Sequence, residues 1–323
     1  MLKRNVGMSN LGKHRHHLPQ CDGKLFLTDG GIETTLIFLE GLELPHFAAF
    51  DLLRDRTGWD ALRKYYERYL AIAVANRVGF VLESATWRAS ADWGAKLGYS
   101  KEALAHANRD SIALLAELRK KYEAHVTPMV ISGCVGPRGD GYDPGALMSV
   151  KEAEDYHAEQ VEVFADTEAD MISAITMTNV NEAIGLTRAA VAAKMPVAIS
   201  FTVETDGRLP TGQSLQAAIE EVDGHTAYAP AYYMINCAHP THFDSVVTKG
   251  AWRDRIGGVR ANASVKSHTE LNESTELDAG NPRELGTQYR ELRKLLPRLT
   301  VMGGCCGTDH RHVEAICSAC LAA

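Results

Sequence analysis

Residues 197–237 read VAISFTVETDGRLPTGQSLQAAIEEVDGHTAYAPAYYMINC. Two short apolar runs, Val197–Val203 and Tyr232–Asn236, enclose an amphipathic stretch that opens at Leu215–Glu221. Continuous apolar runs of this length fit strands buried on both faces of a parallel sheet, with a helix crossing between them. The same alternation extends in both directions. Strands are expected at Leu25–Thr28, Phe80–Thr86, Val126–Ser132, Met171–Thr176, Ile256–Arg260 and Leu299–Met302, each followed by Gly, Asn, Asp or Ser. Helical periodicity marks Trp59–Asn76, Lys101–Tyr122, Val150–Glu168 and Asn181–Lys194; Leu62, Tyr65, Tyr66, Tyr69 and Ala73 have the 3, 4 spacing of a buried helix face. Eight strands alternating with helices predict an α/β fold, a single-domain (β/α)8 TIM barrel. The rival is a doubly wound open sheet. Gly30-Gly31 after the first strand lacks the third glycine and the later acidic partner of a dinucleotide site.

The barrel is expected to occupy residues 21–323, after a polar N-terminal extension at 1–20 whose His14, His16 and His17 read as a disordered tail. The Gly/Asp/Pro-rich segment Gly136–Gly145 reads as a long loop above the third strand. The 323 residues are 45% hydrophobic and 23% charged, with 34 basic against 41 acidic side chains and a net charge of −7. This mildly acidic composition, without a basic block, argues against nucleic-acid or anionic-membrane partners. No apolar run approaches the roughly 20 residues of a membrane span, and the start of the chain lacks a signal-peptide core. Seven cysteines, an odd count, then suggest reduced thiols in the cytoplasm.

In a (β/α)8 barrel, functional groups gather where strands end. Those positions carry Asp29, Glu83, Thr86, Cys134, Asn236, Cys237, Asn262, Cys305 and Cys306. The strongest local signal is Gly303-Gly304-Cys305-Cys306-Gly307-Thr308, after the eighth strand, because flanking glycines let two adjacent thiolates turn toward one metal. Cys237 ends the sixth strand, and alternate strands of a barrel aim at a common layer. Three sulfurs there would hold Zn²⁺ with a fourth position open, and soft thiolates select zinc over magnesium or calcium. The competing reading is a packed Cys305-Cys306 pair, or a vicinal disulfide, with Cys237 in the core. Cys317 and Cys320 form a lone CxxC in the last helix and read as packing or surface residues.

Ile235-Asn236-Cys237 together with Gly303-Gly304-Cys305-Cys306-Gly307-Thr308 resembles the homocysteine S-methyltransferase family. Thr28-Asp29-Gly30-Gly31, Ile131–Gly139, Ser200–Val203 and Gly207–Gly212 extend the likeness nearly end to end. The resemblance implies a (β/α)8 barrel, a zinc ion on Cys237, Cys305 and Cys306, and methyl transfer to a zinc-bound thiol, homocysteine first, giving methionine. It implies a small-molecule thiol acceptor and a sulfonium or quaternary ammonium donor used directly, since the chain has no length for cobalamin modules. Substrate contacts are expected from Asp29, which matches the family's acidic residue after strand one, and from Glu83, Thr86, Trp87, Asn236 and Asn262. Trp87 and Glu83 suit a cationic donor.

One position departs from the pattern. The family usually carries Glu at the end of strand four, against the amino group of homocysteine; here Asp170–Met177 puts Ile175 there. An apolar side chain cannot pair with an ammonium group. Either another carboxylate, Glu83 or Glu204, makes the contact, or the acceptor is a different thiol. Two further readings stay open: a non-catalytic, redox-responsive barrel with a Cys305-Cys306 disulfide, and zinc-dependent hydrolysis. The sequence leaves homo-oligomerisation undecided.

Overall fold

Eight parallel strands close into a barrel in sequence order. They are β1 (Phe26–Leu27), β2 (Gly79–Glu83), β3 (Met129–Val135), β4 (Met171–Met177), β5 (Val197–Thr202), β6 (Tyr232–Asn236), β7 (Ile256–Ala261) and β8 (Val301–Gly304). Around them lie α1 (Arg56–Asn76), α2 (Ala91–Lys96), α3 (Lys101–Tyr122), α4 (Val150–Ala165), α5 (Val180–Ala192), α6 (Leu215–Thr226), α7 (His268–Asn272), α8 (Pro282–Leu295) and α9 (His310–Leu321). This computed structural model describes residues 12–124, 126–274 and 276–322; residues 1–11 of the expected extension fall outside it. Among the described residues no helix is long and apolar enough to cross a membrane.

Strand period 2 sorts side chains between the barrel interior and the helix layer. The outward set packs against the helices in one continuous apolar core. The inward set begins with Phe26, Val81, Val130, Met171, Ala198, Met234 and Val301. Two residues further along five of these strands come Glu83, Ser132, Ser173, Ser200 and Asn236, all buried. On β7 the corresponding residue is Arg260, also buried. The interior thus changes from apolar to polar toward the C-terminal mouth. Helix starts are fixed by side-chain caps, including Ser149 on α4, Asn179 on α5, Ser214 on α6 and Asp309 on α9.

The third strand lies three residues beyond its expected bounds, at Met129–Val135, and Val126 is exposed in a turn. Gly133 reads as a strand terminator, but it is a strand residue facing outward. A Cβ at Gly133 would lie 2.6 Å from the Phe164 ring of α4, so the missing side chain lets that ring approach the sheet. The expected disordered tail is also corrected from residue 12 onward. The Arg15 guanidinium donates to the carbonyls of Phe164, Ala165, Thr167 and Ala169 at the end of α4. The His14 amide donates to the Asp170 carboxylate at 2.7 Å. Leu18 joins the interior apolar set, and Gln20 is buried beside Met171 and Tyr232. Polar residues here satisfy a helix C-terminus and close the barrel floor, a use that composition alone does not reveal.

Cys317 and Cys320 are buried in the α9 face of the outer core, and burial pushes the Cys317 thiol up to about 11. They are packing residues.

Substituting Gly133→Ala should lower stability by about 1–3 kcal/mol, because the new methyl overlaps the Phe164 ring. Urea unfolding checks this, and adding Phe164→Leu should recover part of the loss. An unchanged midpoint for Gly133→Ala would show that the ring is free to move.

Candidate metal and active site

The ends of β6 and β8, on either side of β7, bring the cysteines together. The Cys237 amide donates to the Arg260 carbonyl at 3.1 Å, and the Cys305 amide donates to the Ala261 carbonyl at 2.9 Å. β7 therefore holds one cysteine on each side. Cys237 has φ +51°, a left-handed conformation that costs a non-glycine residue roughly 1–2 kcal/mol. Its carbonyl is the anchor, accepting from Asn262 Nδ2 at 3.0 Å and lying 2.6 Å from His268 Nε2. The Cys305–Thr308 turn is held by the Thr308 hydroxyl, which donates to the Cys305 carbonyl at 2.7 Å. The loop after β1 docks on it. Gly31 N–H reaches the Thr308 carbonyl at 3.1 Å, Gly307 N–H reaches Thr34 Oγ1 at 3.0 Å, and a Cβ on Gly31 would meet the Cys305 carbonyl at 2.6 Å.

The sulfur atoms of Cys237, Cys305 and Cys306 all lie within 4.8 Å of one another. Cys237 and Cys305 are joined as a disulfide with Cα atoms 5.3 Å apart; Cys306 is free, its sulfur 3.9 Å from that of Cys237. The vicinal Cys305-Cys306 pairing considered from sequence is not the one formed. Bridging adjacent residues would force both side chains and the peptide between them into one small ring, whereas the Cα separation of Cys237 and Cys305 is ordinary for a disulfide. The 3.9 Å sulfur separation equals, within a few tenths of an ångström, the roughly 3.8 Å expected between thiolates sharing a tetrahedral zinc at bonds of about 2.3 Å. With the disulfide reduced, the residues fit a soft divalent ion with three thiolate ligands.

Around this cluster the polar layer is engaged at all but one Glu83 oxygen. Asn236 Nδ2 reaches Cys305 Sγ at 3.9 Å and Thr176 Oγ1 at 2.8 Å, while Asn236 Oδ1 accepts from Ser200 at 2.5 Å and from Thr176 N–H at 3.0 Å. Arg260 lies beneath. Its Nε donates to the Gly304 carbonyl at 3.1 Å and its Nη2 to Asp29 Oδ1 at 2.8 Å. The second Asp29 oxygen accepts from Tyr65 OH at 2.7 Å, so both are occupied by protein. Glu83 Oε1 accepts from Ser173 at 2.9 Å, and its other oxygen is buried without a partner. Burial raises the carboxyl pKa of both Asp29 and Glu83, and Arg260 opposes it. For Arg260 burial disfavours the charge, but Asp29 and Glu83 outweigh it and hold the guanidinium above its already high pKa.

The remaining sequence candidates line the mouth. Trp87 is half-buried, donates to the Ile175 carbonyl at 3.2 Å and packs beside Cys134 and Ile175. Ile175 faces inward, so the place of the expected glutamate is an apolar wall. The Thr86 hydroxyl is buried against the Cys134 carbonyl at 2.7 Å. Glu204 lies 3.2 Å from His268 Nδ1.

Sequence reasoning missed five residues here. Tyr142 OH lies 3.3 Å from Cys306 Sγ, and its ring packs on His268 with centroids 4.1 Å apart. Arg88 is buried between Trp87 and Trp93, its guanidinium carbon 4.0 and 3.7 Å from the two ring centroids. Glu33 is half-buried beside the cluster; burial, with Asp29 adding, raises its carboxyl to about 7. Burial also raises the Cys306 thiol, with Tyr142 opposing and Glu33 adding. Arg260, at an inward strand position, was detectable from period 2 alone; Tyr142 and His268, on loops or a short helix, gave no signal.

The sequence profile described as homocysteine S-methyltransferase matches residues 26–320. The chain belongs to the homocysteine S-methyltransferase family. Among solved structures it is similar to the homocysteine methyltransferase MmuM from Escherichia coli. Against the oxidized form the identity is 18% and the TM-score 0.73, covering 91% of this chain and 95% of that one. Against the metallated form the values are 18%, 0.70, 92% and 96%. No curated protein sequence matches the chain. At such identity the structural likeness carries the fold, and the family profile carries the assignment of this enzyme as a thiol S-methyltransferase.

Arg260→Met should destabilise the enzyme by about 3–5 kcal/mol at neutral pH, because Asp29 and Glu83 are left as buried charges without a cation. Carboxyls whose folded pKa is raised favour folding when protonated and lose that contribution as pH rises through the folded pKa. The deficit relative to wild type should therefore shrink as pH falls from 7 toward 5. Denaturant melts across that range decide it; a deficit independent of pH would show that the loss is one of packing.

Proposed function

We propose that the protein is a zinc-dependent S-methyltransferase moving a methyl group from a sulfonium or quaternary ammonium donor to a thiol, with homocysteine as acceptor and methionine as product. The supporting observation is the convergence of Cys237, Cys305 and Cys306, with sulfurs within 4.8 Å, at the C-terminal mouth of the barrel. Cys237, Cys305 and Cys306 would hold a zinc ion, which would favour the thiolate form of an acceptor thiol, of ordinary pKa about 8.5, at neutral pH. The thiol sulfur gains the methyl group, the donor leaves as a neutral thioether or amine, and the proton goes to solvent.

The chain's own residues would prepare that reaction. Asn236 fixes Cys305, while Asn262 and His268 fix Cys237 through its carbonyl. Residues that orient metal ligands in this way typically change metal affinity 10–100-fold when removed. Arg260 is the cation beneath a site that three thiolates make anionic, with Asp29 and Glu83 keeping it in place. Trp87 carries Arg88 on one face and would offer the other to a cationic donor, with Ile175 and Cys134 packed beside it. Thr86 shapes this wall through the Cys134 carbonyl. A reducing cytoplasmic setting would keep Cys237 and Cys305 open for the metal.

The Cys237–Cys305 bond favours a second reading, a non-catalytic redox-responsive barrel in which these cysteines open and close without holding a metal. Metal content separates the two. Reduced protein should carry about one zinc per chain and methylate homocysteine. Cys306→Ser, at the outermost ligand, should lose both while keeping the wild-type circular dichroism spectrum. Reduced protein that binds no zinc and methylates no thiol would overturn the methyltransferase reading.

Trp87→Leu should raise KM for a cationic donor by roughly 3–10-fold, the size of a cation–π contact, with little change in KM for the acceptor. Initial rates at varied donor and acceptor check it, and a change confined to the acceptor would assign Trp87 to the other substrate.

A further inference from the structure

Resting on the thiol-methyltransferase reading, we infer that Glu33 is the carboxylate that receives the ammonium group of an amino-acid acceptor and so sets specificity for an α-amino thiol. The carboxylates near the sulfur cluster differ in what they have left to offer. Asp29 is 3% exposed and gives one oxygen to Arg260 and the other to Tyr65. Glu83 is 4% exposed, in the polar layer below the cysteines, with Ser173 on one oxygen and the other unpartnered but buried within that layer. Glu204 is held by His268. The Glu33 carboxylate has no hydrogen bond or ion pair with another described side chain, only its own backbone N–H beside it, and it is half-buried at the mouth itself.

Its position is set by backbone contacts. Gly31 and Thr34, on either side of Glu33, are both hydrogen-bonded to the Cys305–Thr308 turn. Glu33 therefore stands where its charge acts on Cys306, Tyr142 and Arg88. An acceptor whose sulfur joined the cysteine cluster would bring an amine, four bonds away in homocysteine, to this same rim. The wall at Ile175 presents no charge to that amine. Arg88 and Arg260 ease the charge of this half-buried carboxylate without an ion pair, and a bound ammonium would supply a direct one.

The test compares homocysteine with 4-mercaptobutanoate, the same thiol acid without the amine, using reduced, zinc-loaded wild type, Glu33→Gln and Glu33→Asp. Calorimetric binding is measured alongside initial rates. Glu33→Gln should weaken homocysteine binding and raise its KM about 10–100-fold, the usual size of a charge-assisted contact, while 4-mercaptobutanoate and the donor are unchanged. Glu33→Asp, which keeps the charge, should lie between wild type and Gln. Equal losses for both thiols, a loss confined to the donor, or no loss overturns the inference and leaves the methyltransferase reading intact. Wild type that methylates no thiol overturns that reading instead, and the binding preference between the two thiols still decides the role of Glu33.

Discussion

The site depends on β7 acting as a spacer. Successive carbonyls, Arg260 and Ala261, accept the amides of Cys237 on one side and Cys305 on the other, so cysteines 68 residues apart in sequence share one strand as a ruler. The strand spacing of a sheet is fixed by backbone hydrogen bonding at about 4.8 Å. Two such spacings would leave the cysteines about 9.6 Å apart; the left-handed conformation at Cys237 and the turn after Cys305 bring their Cα atoms to 5.3 Å above the end of β7. The left-handed twist at Cys237 is the local cost, and the Asn262 and His268 contacts to its carbonyl offset it.

Beneath the cysteines, the barrel departs from the apolar filling expected of small parallel barrels. A layer of Glu83, Ser132, Ser173, Ser200, Asn236 and Arg260 replaces it. Such a layer is stable only when its members satisfy one another, and most do, through Ser132–Ser173–Glu83 and Ser200–Asn236–Thr176. The exception is Glu83 Oε2. Arg260 connects this layer to the reactive loop through Gly304, so the charge beneath and the backbone of the cysteine turn are adjusted together.

Much of this was legible in the sequence because its causes are local. The alternation of short apolar runs and helical stripes defines the barrel, and strand ends next to glycine-flanked cysteines define the site. What sequence misread depends on partners distant in the chain. Gly133 reads as a terminator until Phe164 of α4 is seen against it. Arg15 and His14 read as tail until the end of α4 and Asp170 are seen to need donors. Asp29 and Glu83 were expected to face substrate, and the Asp29 oxygens are instead occupied by Arg260 and Tyr65. Glu33 escaped notice because only the docking of the first loop onto the last one brings it to the sulfurs.

The floor formed by Leu18 and Gln20 bears on the electrostatics of the mouth. With the N-terminal face closed beneath the apolar layer, Glu83 and Arg260 are sealed from water on that side, so their charges are felt toward the cysteines.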